Sequence, residues 1–380
     1  MTNAGPSFRL QPSACQGLPS VQGATVQDGL QGERPDGRQV ACDRSVAPRN
    51  RTLTCAPEEL LALSKSILRV ETAVDRQDID CQLVGGDFFE IAARLPTQFI
   101  DLLILDSPYN LTKNYNGNYF RKLNKECYAS WFERVIELLI PMMKPTATLY
   151  VCSDWRTSAL VLPVLEKRFL VQNRITWERE KGRGARRNWK NNTEDIWFCT
   201  NYENYYFDVD AVKLKRKVLA PYRLNGNPKD WKHESDGNFR LTHPSNIWTD
   251  LTVPFWSMPE NTPHPAQKPE KLFAKLILAS SKEGDFVFDP FLGSGTSAVV
   301  AEKLCRRWCG IDINMEYLCW TRKRLSAVRW DSAIQGYKDG VFWERNSSLS
   351  NKEYPKQKDR TTLPKERFSN EVDFLLPRAS

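Results

Sequence analysis

The sequence predicts an α/β protein built around a mostly parallel β-sheet. Short apolar runs of strand length recur along the chain, and stretches with the apolar period of a helix lie between several of them. Such alternation is typical of a sheet covered by helices. A stretch that begins near residue 201 breaks this rhythm with mixed aromatic and basic residues, as an insert would. The predicted strands are 102–105, 148–152, 174–177, 195–199, 286–288 and 309–313.

The remaining segments set the predicted organisation of the chain. Residues 128–143 have helical periodicity, and a helix from Pro57 has Leu60, Leu61 and Leu63 or Ile67 on its apolar side. The N-terminal segment is rich in Gly, Pro, Gln, Ser and Arg, so it cannot bury enough surface to offset the entropy of ordering. The prediction is a disordered segment at 1–56 whose role stays open, one half of the domain at 57–200, an insert at 201–254, a second half at 255–330 and a polar tail at 331–380.

The composition indicates the class of binding partner and the cellular compartment. The 380 residues include 54 Lys and Arg against 46 Asp and Glu, and the formal net charge of +8 favours a polyanionic partner without naming one. Ten cysteines without a paired C-x-x-C framework indicate buried reduced thiols. No signal peptide or membrane span is expected, which places the protein in the cytoplasm. His233, His243 and His264 form no ligand cluster, so no metal is expected.

A glycine turn follows the predicted strand at 286–288 and precedes a predicted helix. Glycines let a ligand approach the backbone closely, and the helix start offers free amide groups. Asp312, at the end of the next strand, can accept both hydroxyls of a ribose. Position 298 is alanine, so the longer dinucleotide fingerprint is not met, and S-adenosylmethionine fits this turn better than NAD. The candidate cofactor residues here are Asp289, Phe291, Gly293, Gly295, Thr296 and Asp312.

Upstream of this turn, Gln267 and Lys268 precede a predicted helix that begins near Pro269. At a helix start they could hold the carboxylate of the cofactor, whose amine would be accepted by Asp289. A proline-flanked helix cap accounts for the segment equally well when it is read alone.

The tetrapeptide Asp106, Ser107, Pro108 and Tyr109 follows the predicted strand at 102–105, at the sheet edge where open α/β proteins place their chemistry. A nucleobase amine is a poor nucleophile because its lone pair is delocalised into the ring. The Asp106 carboxylate and the Ser107 carbonyl could accept its two hydrogens and favour a pyramidal nitrogen. Pro108 stiffens the turn, and Tyr109 offers a face for a base rotated out of a duplex. A strand-terminal turn without catalytic function is the alternative.

Four motifs, DSPYN, HPAQKPEKLFAKLILASS, FVFDPFLGSGTS and GIDINMEY, strongly resemble in sequence and order the β-class DNA amino-methyltransferases of restriction-modification type. The resemblance implies a circularly permuted S-adenosylmethionine-dependent, Rossmann-like methyltransferase sheet with an inserted target-recognition region. It makes 57–200 the catalytic half and 255–330 the cofactor-binding half, and it suggests that Asp87 contacts the adenine of the cofactor. The family methylates adenine N6 or cytosine N4 in short DNA sequences by base flipping.

Two departures from the family pattern affect the prediction. Adenine-specific members usually carry Asp-Pro-Pro-Tyr and cytosine-specific members Ser-Pro-Pro-Tyr, whereas Ser107 follows Asp106 here. Adenine N6 is therefore favoured, with cytosine N4 as the alternative. Ala266 replaces the usual Thr and removes one hydroxyl. A non-catalytic DNA-binding protein on the same fold is a more remote alternative, against which the intact Asp106 and Tyr109 speak.

Double-stranded DNA is the expected partner. A basic loop with one tryptophan lies at 181–190 and could contact phosphates or enter the gap left by the flipped base, although a solvated charge run is the alternative. The insert at 201–254 could address base edges. A functionally paired restriction endonuclease and a homodimer are left open by the resemblance. The candidate DNA-binding residues are Lys181, Arg183, Arg186, Arg187 and Lys190.

Overall fold

The computed structural model describes residues 49–183, 187–219, 221–235 and 237–344 of the chain. Within these ranges the α-helices are α1 (Pro57–Ser64), α2 (Phe88–Ile91), α3 (Lys125–Leu139), α4 (Trp155–Glu166), α5 (Glu270–Ser280), α6 (Thr296–Lys303) and α7 (Met315–Val328). The strands are β1 (Gln82–Gly85), β2 (Ile100–Leu105), β3 (Lys113–Tyr115), β4 (Asn118–Phe120), β5 (Met143–Ser153), β6 (Leu170–Arg183), β7 (Asn191–Thr200), β8 (Leu214–Lys217), β9 (Arg223–Leu224), β10 (Asn227–Pro228), β11 (Lys232–Glu234), β12 (Gly237–Thr242), β13 (Ile247–Trp248), β14 (Phe286–Asp289), β15 (Arg307–Asp312), β16 (Tyr337–Lys338) and β17 (Val341–Trp343).

The main sheet contains every strand that the sequence predicts. Its order is β1-β15-β14-β2-β5-β7-β6-β13. Neighbouring strands are parallel, except that β7 runs antiparallel to both β5 and β6. β14 and β15 come late in the chain, yet they lie between β1 and β2. The two halves of the sheet are therefore permuted in sequence relative to their order in space.

The register between β14 and β2 places two sequence motifs side by side. Val287 pairs with Leu102, and Phe288 pairs with Leu103. β14 ends at Asp289 and β2 ends at Leu105. Because the strands are parallel, the residues that follow them emerge at the same edge of the sheet. The glycine turn and the acidic tetrapeptide are neighbours for this reason.

Two apolar clusters form the core, one on each face of the main sheet. One contains the buried side of α3 and α4, and the other contains most of α5 with parts of α6 and α7. Burial of a large apolar side chain stabilises a fold by about 1.5–3 kcal/mol. α3 begins after Asn124, whose side chain accepts from the Cys127 N–H at 2.7 Å. The helix ends at Leu139, before the predicted 143, and Pro141 lies in the short 3₁₀ turn that follows.

The insert forms a second sheet together with residues that the sequence analysis assigned to the polar tail. The strand order is β11-β12-β8-β17-β16. Phe342 of β17 pairs with Leu214 of β8 and is completely buried. The predicted tail boundary at 331 is therefore too early for this part of the chain. Strands of two or three residues are too short to show a periodic pattern, which is why they were missed.

The segment predicted to be disordered, 1–56, is described only from residue 49, and 1–48 lie outside the described residues. Residues 49–56 are ordered and run along the segment near residue 256, so the prediction is wrong for them. The Arg51 N–H donates to the Trp256 carbonyl at 2.6 Å, and the Leu53 N–H donates to the Asn261 carbonyl at 2.8 Å. The helix predicted from Pro57 is present as α1. Its predicted apolar side is wrong for Leu61, which is 67% exposed.

Among the described helices, none has the length and apolar character needed to cross a bilayer. In the same ranges no group of three or more His, Cys, Asp or Glu side chains is arranged to hold a metal ion. The described cysteines are all free thiols; Cys152, Cys199, Cys309 and Cys319 are buried as predicted, while Cys305 is exposed.

Candidate active site

A cavity of about 280 Å³ opens at the carboxyl edge of β2, β14 and β15. Its wall includes the tetrapeptide after β2, the glycine turn after β14 and the segment 264–268 before α5. The β3–β4 hairpin and the start of β7 complete it. The cavity thus joins the two motifs that the sequence analysis assigned to catalysis and to cofactor binding.

The glycine turn depends on backbone conformations that other residues rarely adopt. Gly293 has φ +56° and Gly295 has φ +79°. A Cβ on Gly295 would lie 2.0 Å from Thr321 Cγ2, and a Cβ on Gly293 would lie 3.0 Å from His264 Nε2. Backbone conformation therefore favours glycine at both positions. Close packing excludes a Cβ at Gly295, whereas at Gly293 the His264 ring would have to move by a few tenths of an ångström.

Two carboxylates, the buried Asp289 and the partly buried Asp312, hold this turn in place. Asp289 accepts from the Phe291 N–H at 3.1 Å and from the Ser297 hydroxyl at 2.5 Å. Asp312 accepts from the Gly293 N–H and from the Asn314 N–H, both at 2.7 Å. Burial raises the pKa of Asp289 to about 7 and the pKa of Asp312 to about 6. Both residues line the cavity, so each can reach a cofactor bound there, and these contacts stay predictions.

An aromatic wall borders the cofactor end of the cavity. The Phe291 ring packs edge-on against Phe88, with ring centroids 5.8 Å apart, and lies 6.2 Å from Trp131. Asp87 lines the same end, and its carboxylate accepts from the Phe89 N–H at 2.9 Å as the N-cap of α2. The predicted contact of Asp87 with an adenine therefore stays a prediction.

Gln267 and Thr296 are engaged with protein groups. The Gln267 side chain accepts from the N–H and hydroxyl of Thr262 and donates to the Glu260 carbonyl at 2.5 Å. The Thr296 hydroxyl donates to the Lys268 carbonyl at 3.1 Å. Both residues line the cavity, and these bonds give them a part in shaping it. Their direct contact with a cofactor is untested.

The tetrapeptide lies at the centre of a buried charge cluster. Each Asp106 carboxylate oxygen is 2.8 Å from Lys268 Nζ. The Tyr109 hydroxyl lies 3.2 Å from Asp106 Oδ1, and the Tyr128 hydroxyl donates to the Pro108 carbonyl at 2.9 Å. Burial alone would lower the pKa of Lys268, but nearby carboxylates raise it above its usual value, so the amine stays charged. Lys268, predicted as a cofactor contact, is here paired with Asp106, the carboxylate of the predicted catalytic tetrapeptide.

Glu194 and Arg179 were missed by the sequence analysis. Glu194 of β7 lies 3.1 Å from the Tyr109 hydroxyl through Oε2 and 2.6 Å from Arg179 Nη1 through Oε1. Its Oε2 is also 3.4 Å from Lys268 Nζ. A buried glutamate at the start of an apolar strand is the signal that could have indicated it.

His264 and Tyr317 form a second pair that the sequence analysis did not assign. Burial lowers the pKa of His264 to about 3, so its ring is neutral. The Ala266 N–H donates to His264 Nδ1 at 3.3 Å, which leaves the ring proton on Nε2. The Tyr317 ring packs edge-on at 4.5 Å, and its buried hydroxyl has no hydrogen-bond partner within the described parts of the chain. Both residues line the cavity.

Two of the predicted DNA-binding residues, Arg187 and Lys190, lie between β6 and β7, beside the cavity. Arg187 and Lys190 are exposed, and Trp189 between them is 92% exposed. Lys181 and Arg183 belong to β6, but their side chains lie outside the described part of the structure, as does the whole of Arg186. Asn191 and Thr193 line the cavity, so the exposed loop borders its mouth.

Several known proteins are similar to this chain. The DNA methylase family matches residues 100–323. The Type II methyltransferase M.HpaI of Haemophilus parainfluenzae is 32% identical over 262 residues, covering 68% of this chain and 77% of that protein. The DNA adenine methyltransferase YhdJ of Escherichia coli (strain K12) is 30% identical, covering 66% and 84%. The solved PvuII DNA methyltransferase (cytosine-N4-specific) covers 67% of this chain and 86% of its own, with 18% identity and a TM-score of 0.49.

The sheet presents a glycine turn and an acidic tetrapeptide to one cavity at the carboxyl ends of its parallel strands, where open α/β proteins bind their ligands. The chain belongs to the DNA methylase family. The predicted enzyme class, a DNA methyltransferase, and the predicted fold class, a permuted Rossmann-like methyltransferase sheet with an inserted region, are confirmed.

Proposed function

We propose that this protein transfers a methyl group from S-adenosylmethionine to the exocyclic amine of a DNA base, with adenine N6 as the favoured target. The observation that carries the proposal is the shared cavity of the Asp106 tetrapeptide and the Gly293 turn. A methyl donor on the turn and an amine on Asp106 would meet within one enclosed space, and most of the rate enhancement would come from that alignment.

The residues at the glycine turn fit S-adenosylmethionine. Gly293 lines the cavity, and the left-handed backbone of Gly293 and Gly295 forms the turn beside it. Each carboxylate oxygen of Asp312 accepts one hydrogen bond from the protein. A carboxylate has about four acceptor sites, so two of them remain for ribose hydroxyls. The unpartnered Tyr317 hydroxyl is a further polar group at this end, within the described residues. An ionised Asp289 would bind the cofactor's amine.

The tetrapeptide fits a planar base that carries an amine. The bound cofactor supplies an electrophilic sulfonium methyl group. The Asp106 carboxylate and the Ser107 carbonyl accept the two amine hydrogens, which makes the nitrogen lone pair available for attack. The Tyr109 hydroxyl lies between two carboxylates, which holds the ring in one orientation for stacking against the base. The amine loses its proton after methylation because the methylated cation is strongly acidic, so no strong base is required.

Adenine N6 is preferred over cytosine N4 on two grounds. Asp106 occupies the position that is usually Asp in adenine-specific members of the family. The relative YhdJ is named a DNA adenine methyltransferase. Cytosine N4 stays the alternative because Ser107 departs from both usual tetrapeptides.

Duplex DNA would lie across the mouth of the cavity. The exposed Arg187 and Lys190 could contact phosphates, and the second sheet built on the insert would read the target sequence. Several relatives are named Type II methyltransferases. These names support a place in a restriction-modification system with a paired endonuclease. Physical association of that endonuclease with this protein, and a homodimeric state of the protein, are separate questions.

The test is identification of the methylated nucleoside. The protein is incubated with mixed-sequence duplex DNA and S-adenosylmethionine, and the DNA is digested to nucleosides for mass spectrometry. We expect N6-methyladenine. N4-methylcytosine would keep the mechanism and overturn the base, and the absence of any methylated nucleoside would contradict the proposal.

A further inference from the structure

We propose that Glu194 is a positioning residue that receives the Lys268 ammonium group when a target amine binds to Asp106. The inference rests on the proposed function and adds a step to it: the lysine exchanges one carboxylate partner for another as the base enters. It assigns Lys268 to the base end of the cavity rather than to the cofactor end.

The distances place one ammonium group between two carboxylates. Lys268 Nζ is 2.8 Å from both oxygens of Asp106 and 3.4 Å from Glu194 Oε2. The Lys268 and Glu194 side chains are only 5% and 6% exposed. Water therefore screens these charges poorly, and the position of the ammonium group strongly affects each carboxylate. A small movement of the lysine head would exchange a good bond to Asp106 for one to Glu194.

Binding of the amine gives a reason for the movement. Lys268 and the Tyr109 hydroxyl occupy most of the acceptor sites on Asp106 in the present arrangement. An amine that donates to Asp106 competes for them. Positive charge develops on the amine nitrogen as the methyl group is transferred, and an adjacent ammonium group opposes this. Transfer of Lys268 to Glu194 removes the competition and moves the repelling charge away.

The other contacts of Glu194 orient one of its carboxylate oxygens toward Lys268. Arg179 Nη1 binds Oε1 at 2.6 Å, which leaves Oε2 directed to the Tyr109 hydroxyl and Lys268. The cluster has two carboxylates and two cations, and Lys113, which also lines the cavity, adds a further positive charge near them. Moving Lys268 within the cluster leaves the net charge unchanged. The Tyr109 hydroxyl and an amine hydrogen of the base then serve as donors to Asp106, which limits the penalty of burying its charge.

A simpler alternative gives Glu194 a static role, in which it only anchors Arg179 and the Tyr109 hydroxyl. Glu194→Gln keeps the shape of the side chain and removes its charge, and Lys268→Met removes the ammonium group. A static ion pair also makes the two effects non-additive, because the residues are in contact, but it gives the same coupling energy in the free protein, measured by urea unfolding, as in methyl transfer. An exchange gives additional coupling only when target DNA is bound, and equal coupling in the two measurements would overturn it. An exchange role predicts that Glu194→Gln has little further effect once Lys268 is gone, because the exchange has no lysine left to move.

The experiment is a double-mutant cycle with two readings besides urea unfolding of the free protein. The first is the single-turnover rate of methyl transfer to duplex DNA; the second is affinity for the same duplex with sinefungin, a non-reactive analogue of the cofactor, which stays measurable if Lys268→Met has no turnover. We expect Glu194→Gln to slow transfer at least tenfold in the wild-type background and less than threefold in the Lys268→Met background, with affinity for target duplex following the same pattern. Glu194→Asp should restore part of the rate.

Asp195→Asn is the matched control, because Asp195 is a buried carboxylate of the same strand that accepts from the Thr176 hydroxyl at 3.0 Å and does not line the cavity. It should retain the wild-type rate. Additive effects in both readings, or a wild-type rate for Glu194→Gln, would overturn the exchange while leaving the proposed function intact. A wild-type protein that methylates no nucleoside would instead remove the proposed function on which the exchange rests.

Discussion

The Lys268 ammonium group lies 2.8 Å from each oxygen of the Asp106 carboxylate, although 162 residues separate them in sequence. The pair joins the two halves of the permuted domain, since Asp106 follows β2 and Lys268 precedes α5. Asp106, which is proposed to accept a hydrogen of the target amine, therefore has its ion-pair partner in the half of the domain that carries the glycine turn.

Replacing Asp106 by Ala should abolish methyl transfer and leave S-adenosylmethionine binding nearly intact. The carboxylate is proposed to accept an amine hydrogen, whereas the glycine turn does not depend on it. Tritium transfer to DNA and calorimetric binding of the cofactor measure the two effects separately. Asp101→Ala is the control, because Asp101 lies on β2, the strand that precedes Asp106, and pairs with Lys144 away from the cavity. Full turnover by Asp106→Ala would refute the assigned role.

Gly295→Ala should destabilise the turn more than backbone conformation alone explains. The added Cβ would lie 2.0 Å from Thr321 Cγ2, in addition to the strain of about 1–2 kcal/mol for a left-handed alanine. Gly284→Ala is the matched control, since Gly284 has φ +84° but no atom within 4 Å of its Cβ position. Urea unfolding should show a clearly larger loss for Gly295→Ala. Equal losses would mean that Thr321 moves aside freely.

Affinity for S-adenosylmethionine should rise with pH between about 5.5 and 7.5. Burial raises the pKa of Asp289 to about 7, so its carboxyl is protonated and cannot pair with the cofactor's amine at the lower end of this range. Below that pKa the affinity should fall by up to about tenfold per pH unit. Calorimetric titrations at several pH values test this, with Asp289→Asn as the control that should bind weakly and with a flatter pH profile. An unchanged profile in Asp289→Asn would assign the dependence to another group.

Phe342→Ala should destabilise the protein by about 3–5 kcal/mol, because the side chain is fully buried between the second sheet and the core. Thermal or urea unfolding measures the loss. Trp330→Ala, at a residue that is 73% exposed, is the control and should change stability little. A small effect at Phe342 would mean that β17 contributes little to the folded domain.

Arg187→Ala and Lys190→Ala should each weaken binding to duplex DNA irrespective of its sequence. Each lost phosphate contact should reduce the slope of log affinity against log salt concentration by about 1. Fluorescence anisotropy at several salt concentrations measures the slope. Arg134→Ala, on the exposed side of α3, should leave the slope unchanged. Unchanged slopes for the loop variants would show that 187–190 is a solvated surface loop.

The sequence was a good guide wherever a local pattern carries the information. Apolar runs predicted each of the six named strands of the main sheet, because a buried strand needs a continuous apolar segment. The glycines at 293 and 295 and the tetrapeptide at 106–109 were identified from residue type and spacing, since the turn conformation and the amine acceptor depend on specific residues. Their order along the chain also predicted the permuted fold.

Other features depend on contacts between segments distant in sequence. Short strands of the second sheet, such as β17, are stabilised by their neighbours and have no periodic pattern of their own. Only the folded sheet brings Glu194 within hydrogen-bonding distance of Tyr109, 85 residues earlier. The sequence by itself thus determined the fold class and the family, and it predicted the catalytic tetrapeptide and the cofactor turn. The tertiary structure decided which charges meet in the cavity, because burial and ion pairing depend on the three-dimensional neighbours of a residue.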